Sequence, residues 1–218
     1  MATRRRPRNA DPSEAEIGHY EILRQFISAA INADKTYLLT EDMSEIHNGI
    51  EIWERISATG LLASVPPQSL VETHTTVAML YARRYEVEGN QKDLDAAFAH
   101  QRRARANVVP GSDTDVILRM SSANWLMLRY IKGRDRADLD AAIAAYDDVA
   151  TTSTVDSVDE CLASGNLGRA LLMRHRITGD AADRHRAMEA LSHAAVKLPP
   201  DHVALPWFQR MYAEAQWM

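Results

Sequence analysis

The chain has 218 residues, 46% hydrophobic and 25% charged, with a formal net charge of −5. That composition supplies a core and excludes a disordered low-complexity chain, while the acidity argues against nucleic acid, because like charge repels a phosphate backbone. Cys161 is the only cysteine, which excludes an internal disulfide or a cysteine-rich zinc site and fits a reducing cytoplasm.

Arg4, Arg5, Arg6 and Arg8 make residues 1–10 a basic arm with no apolar pattern. Residues 7–16 are polar where a signal peptide needs an apolar run, and no run of apolar residues is long enough to predict a membrane span. Asp11, Pro12 and Glu14 read as an N-cap, a first-turn proline and a capping acid. They open a helix to about residue 39, in which Ile17, Tyr20, Ile22, Leu23, Phe26, Ile27, Ala30 and Ile31 recur at helical spacing. A second helix starts at Asp42, Met43 and Ser44 and stops near Gly60, and Pro66 and Pro67 then break the chain.

From residue 71 onward the sequence repeats with a step of 45. Asp93, Asp138 and Asp183 keep it, as do Arg84, Arg129 and Arg174. So do Ala97, Ala142 and Ala187, the small residues Ala78, Ala123 and Gly168, and the set Tyr85, Tyr130 and His175. A fixed period of this size marks a stacked repeat, each copy covering its neighbour's apolar face. Asn90, Asp135 and Asp180 stand three residues before the repeated acids and read as N-caps. Gly89, Gly133 and Gly179 are suited to the left-handed residue that closes the helix before. Second helices are expected over 91–107, 136–151 and 181–197, with linkers at Pro110-Gly111, around Asp156 and at Pro199-Pro200. No segment alternates with period two. The pattern predicts an all-α fold: an α-solenoid of antiparallel helix pairs, about nine helices, in one domain over 11–218. Its units run about 14–66, 67–111, 112–156 and 157–201, with a terminal helix over 202–218.

The string Asn166-Leu167-Gly168-Arg169-Ala170-Leu171-Leu172-Met173-Arg174-His175, followed by Thr178-Gly179-Asp180 and Pro199-Pro200-Asp201-His202, resembles the long-period tetratricopeptide-like repeats common in actinobacterial proteins. Arg129-Tyr130 and Asp138-Leu139-Asp140-Ala141-Ala142-Ile143 are similar to the same consensus. The resemblance covers about 68–218, and more weakly 14–67. Such repeats often precede a caspase-like CHAT protease domain, and nothing here corresponds to that domain. The resemblance implies a superhelical scaffold whose first-type helices line a concave groove, and it implies no activity.

Residues kept in every copy are architecture: the repeated arginines and aspartates are expected to form interhelical ion pairs and caps. A position that changes from copy to copy is where specificity can reside. With the core following 71, 74, 77, 78, 81 and 85, the other face of the first helices carries Glu72, Thr75, Met79 and Arg83. Its copies carry Ile117, Met120, Asn124 and Leu128, then Leu162, Gly165, Arg169 and Met173. This Met-rich, variable surface suits an adaptable binding groove, and Glu72, Thr75, Met79, Arg83, Met120, Asn124 and Arg169 are the candidates to touch a partner. On the terminal helix, Trp207, Phe208, Met211 and Trp217 leave apolar surface for either a cap with one wet face or a homodimer contact.

Chemistry is harder to find. There is no H-E-x-x-H, G-x-G-x-x-G, G-K-[ST] or C-x-x-C, so no metal site or cofactor is predicted. His185, Glu189 and His193 share a helix face, but the outer two are separated by about 12 Å of rise, too far for one ion. Asp147-Asp148 lacks the further acid of a diphosphate motif, since Thr151 stands there. Cys161 reads as a small core hydrophobe. Arg102, Arg103 and Arg105 lack interleaved aromatics and sit on an acidic body. The expected function is a cytoplasmic protein–protein interaction scaffold that takes a peptide or helix in its groove. The alternative is a groove closed into a small-molecule or catalytic pocket using His74, Tyr81, Arg119 or Asn124.

Overall fold

A computed structural model describes residues 14–154 and 157–217. Among these residues the chain is all-α, with nine α-helices and no strand. It divides into two compact units at Asn107 and Val108. The expected cap at Asp11 and Pro12, the linker at Asp156 and the end at Met218 lie outside the described residues.

The first unit holds α1 (Glu14–Thr40), α2 (Ser44–Ala58), α3 (Val71–Glu88) and α4 (Gln91–Arg105), with two short 3-10 turns between α2 and α3. α1 packs on α2 and α3, and α3 packs on α4. Of the helical pattern of α1, Leu23, Phe26, Ile27 and Ala30 form a buried stripe with Ala33, whereas Tyr20, Ile22 and Ile31 are exposed. Of the expected core positions on α3, His74, Val77, Ala78, Tyr81 and Tyr85 are buried, and Val71 at the start of the helix is partly exposed.

The second unit holds α5 (Asp113–Gly133), α6 (Arg136–Thr152), α7 (Val158–Thr178), α8 (Ala181–Lys197) and α9 (Leu205–Gln216). Each helix packs on the next. One core runs through the unit from Ala123, Met127 and Tyr130 to Leu205, Phe208 and Ala215.

Recurring residues make recurring contacts. Arg84 Nε donates to Asp93 Oδ2 at 2.9 Å and its Nη2 to Oδ1 at 2.5 Å. Arg129 grips Asp138 at 2.9 and 2.5 Å, and Arg174 grips Asp183 at 2.8 and 2.6 Å. Such a two-pronged clasp fixes the crossing of a first helix and its second helix, because the planar guanidinium matches both carboxylate oxygens at once. Ala97, Ala142 and Ala187 are fully buried where the helices approach. Asn90, Asp135 and Asp180 accept hydrogen bonds from the backbone amides of Lys92, Ala137 and Ala182, capping α4, α6 and α8. Ser112 and Ser157 cap α5 and α7 in the same way, each accepting from the amide of an acid three residues on.

One turn departs from the reading of the sequence. Gly89 and Gly179 adopt the left-handed conformation, at φ 75° and 73°. Gly133 does not: it ends α5 as a helical residue, and Arg134 takes the left-handed position at φ 60°. The step of 45 from Gly89 lands on 134, so the turn keeps its register although its glycine has slipped one residue.

Candidate functional site

The residues expected to line a groove separate into two groups. In the first unit Glu72 is exposed and Met79 partly buried, while the Thr75 hydroxyl donates to the Val71 carbonyl of its own helix. Arg83 is engaged inside the unit. Its Nε donates to Asp34 on α1 at 2.8 Å, it pairs with Glu86, and its guanidinium covers the Tyr37 ring. The face of α3 that carries Arg83 is therefore partly taken up by α1, which the 45-residue pattern did not reveal because α1 lies outside its clearest copies.

In the second unit the register positions Asn124 and Arg169 are joined through Tyr146. The Tyr146 hydroxyl donates to Asn124 Oδ1 at 2.8 Å and accepts from Arg169. Burial pushes this phenol up to about 12. The Arg169 guanidinium lies over the Trp207 ring, 5.4 Å from its centroid. Its Nε is buried without a hydrogen-bond partner, and among the described residues no carboxylate pairs with it. Met120 packs partly buried beside the core. Gly165, expected on this face, is instead covered by Phe208: a Cβ there would meet the ring at 2.3 Å. Phe208 is 1% exposed, Trp207 and Met211 pack on the core, and only Trp217 of that set stands out, 89% exposed.

Two of the residues named for a closed pocket, His74 and Tyr81, lie in the first unit. His74 and His100 are buried with their Nδ1 atoms 3.1 Å apart, under the Trp53 edge and beside Tyr81. Burial lowers His74 to about 4 and His100 to about 3, with Arg103 adding to both. The Tyr81 hydroxyl donates to Glu54 at 3.3 Å, and burial first, then that carboxylate, raises it to about 12. A cleft of about 330 Å³ lies between α1 and α2, lined by Ile22, Phe26, Ala30, Glu45 and Ile52 among others, with neither His74 nor Tyr81 in its wall.

One position sequence reasoning passed over changes its chemistry between copies. On α5 and α6, Arg119 is 8% exposed and bridges two acids: Asp115 at 3.2 Å and Asp148 at 2.8 Å, with Thr152 accepting at 2.6 Å. Forty-five residues on, Asp115 becomes Glu160, Val116 becomes Cys161, Arg119 becomes Ser164 and Asp148 becomes His193. There His193 Nε2 lies 2.7 Å from Glu160 Oε2, Ser164 donates to Glu160 Oε1 at 2.7 Å, and Cys161 Sγ is 3.8 Å from Glu160 Oε2. His185 turns to Glu189 on the exposed face, 3.3 Å away, so the three residues of α8 do not act together. Asp147 of the acidic doublet pairs with Arg186. The signal was present in the sequence: 119 with 164, and 148 with 193, are the copies whose charge class differs.

Among the described residues no helix is long and apolar enough to cross a membrane. No family model matches the chain, nor does any curated protein or solved structure.

Proposed function

We propose that the chain is a helical-repeat scaffold, an α-solenoid of antiparallel helix pairs that binds a peptide or helix of another protein on its first-type helices and carries out no chemistry of its own. The repeated arginine–aspartate clasp supports the repeat reading, since it defines the same helix pair three times. Arg169 carries the functional reading. Arg83, Arg84, Arg119, Arg129 and Arg174, the other partly or fully buried first-helix arginines, each hold a carboxylate within 2.8 Å. Arg169 holds a phenol and an indole face instead, and a partly desolvated guanidinium without an anion is under-compensated. An acidic side chain or a terminal carboxylate from a partner completes it, beside Asn124 and the adaptable Met120.

Selection of a displayed random-peptide library on the full chain tests this. Enriched peptides should share an acidic residue or a free C-terminal carboxylate, and binding should fall at least tenfold in Arg169→Gln, the loss of one charge-assisted pair of about 1.5–3 kcal/mol. No enrichment, or enrichment indifferent to Arg169→Gln, rejects the reading.

A further inference from the structure

We propose that Glu160, Cys161 and His193 form a site for one thiophilic divalent cation of the zinc class. It is independent of any partner bound at Arg169. A carboxylate oxygen, a thiol sulfur and an imidazole nitrogen, drawn from α7 and α8, lie within 4.8 Å of one another. Tetrahedral zinc, with bonds of about 2.0–2.3 Å, sets its donors roughly 3.3–3.7 Å apart. The separations of 2.7 Å for nitrogen to oxygen and 3.8 Å for sulfur to oxygen bracket that spacing, and the nitrogen lies within 4.8 Å of the sulfur.

The preceding copy says why a cation belongs there. On α5 and α6 the slot between the acids Asp115 and Asp148 is filled by a fixed positive charge, Arg119. On α7 and α8 that arginine is Ser164, which removes both the guanidinium's volume and its charge. The flanking groups change in the same copy: one acid becomes His193, and the apolar Val116 becomes Cys161. A fixed cation is thus exchanged for soft nitrogen and sulfur donors, the ligand set that selects zinc-like ions over magnesium or calcium. Charge closes as well, since one carboxylate and one thiolate neutralise a divalent ion, leaving no net buried charge.

The surroundings suit the role. The Ser164 hydroxyl holds the second oxygen of Glu160 at 2.7 Å, the kind of outer hydrogen bond that orients a ligating carboxylate. Glu160 and Cys161 are buried, whereas the His193 side chain is 33% exposed and gives the ion its way in. On binding, the ion replaces the contact between His193 and Glu160, Cys161 loses its proton to water, and a water takes the fourth position. No atom is oxidised or reduced.

The tag-free full chain, stripped with a chelator, is titrated with Co²⁺ and then with Zn²⁺. A thiolate-to-cobalt charge-transfer band should saturate at equimolar Co²⁺, disappear when Zn²⁺ is added, and accompany a rise in the thermal midpoint. Cys161→Val installs the residue of the preceding copy and should abolish both the band and the rise while the helical circular dichroism is kept. His193→Gln should weaken binding at least tenfold. The proposal is overturned by the absence of the band in the unmodified chain. It is equally overturned by a band as strong in His193→Gln, or by a Zn²⁺-induced rise undiminished in Cys161→Val.

Discussion

At Arg134 the backbone leaves α5 with φ of 60°, where a side chain's Cβ crowds the following carbonyl oxygen. The left-handed turn is needed there because the Arg134 amide closes the helix on the Tyr130 carbonyl at 2.7 Å. The arginine recovers a little by lying over the Tyr130 ring. Arg134→Gly should therefore raise stability by about 1 kcal/mol, read as a higher denaturant midpoint at unchanged slope. Gly165 is the opposite case. Its space is filled by the Phe208 ring, and Gly165→Ala would place a methyl at 2.3 Å from it, so α9 must shift. A loss of about 1–3 kcal/mol is expected in chemical denaturation, with Gly18→Ala on α1, where an added Cβ meets nothing within 4 Å, as the contrast that loses no stability. The Arg134 turn was half legible in the sequence: the step of 45 points to residue 134, but the nearby Gly133 drew the assignment to itself because glycine is the usual occupant of such a turn.

Between elements, the joint of α2, α3 and α4 is a packed aromatic cluster of Trp53, His74, Tyr81 and His100. The groups facing the two imidazoles are each other, Trp53, Tyr81 and the positive Arg103. Both imidazoles sit below the ordinary value of 6.5, at about 4 and about 3, so the unfolded chain binds more protons than the folded one in the interval between. Stability there rises with pH: the contribution is complete above about 6.5 and is lost progressively as pH falls toward 3. Denaturation midpoints measured from pH 7 to pH 4 should fall, and His100→Phe should flatten the fall by leaving one titrating ring in the cluster. A midpoint flat over that interval would show that the rings are already solvated. The order of α3 to α8 and the N-caps of α4, α6 and α8 were legible because Arg84, Asp93, Ala97 and their copies recur at one step. The contact of α1 with Arg83 was not, since Asp34 has no counterpart in the repeat to announce it.

At the level of the molecule, residues that recur at a step of 45 make the chain its own control. Where copies agree, as at Ala97, Ala142 and Ala187, the residue is set by helix approach, and any side chain larger than a methyl would separate the pair. Where they disagree, as at Arg119 and Ser164, packing is not the deciding constraint, and the difference reports what that copy does. The all-α class followed from periodicity alone. The cluster around Glu160 did not, because its members are apart in sequence and each has an ordinary local reading: a capping-box acid, a small apolar residue, a helix-face histidine.

Cys161 has one more consequence. It is the chain's single sulfhydryl and is 1% exposed, so an alkylating reagent can reach it only when α7 comes loose from its neighbours. In metal-free buffer the rate of its modification is a clock for that breathing motion, needing no engineered label. Comparing that clock with global unfolding would tell whether this end of the chain opens alone or only when everything melts.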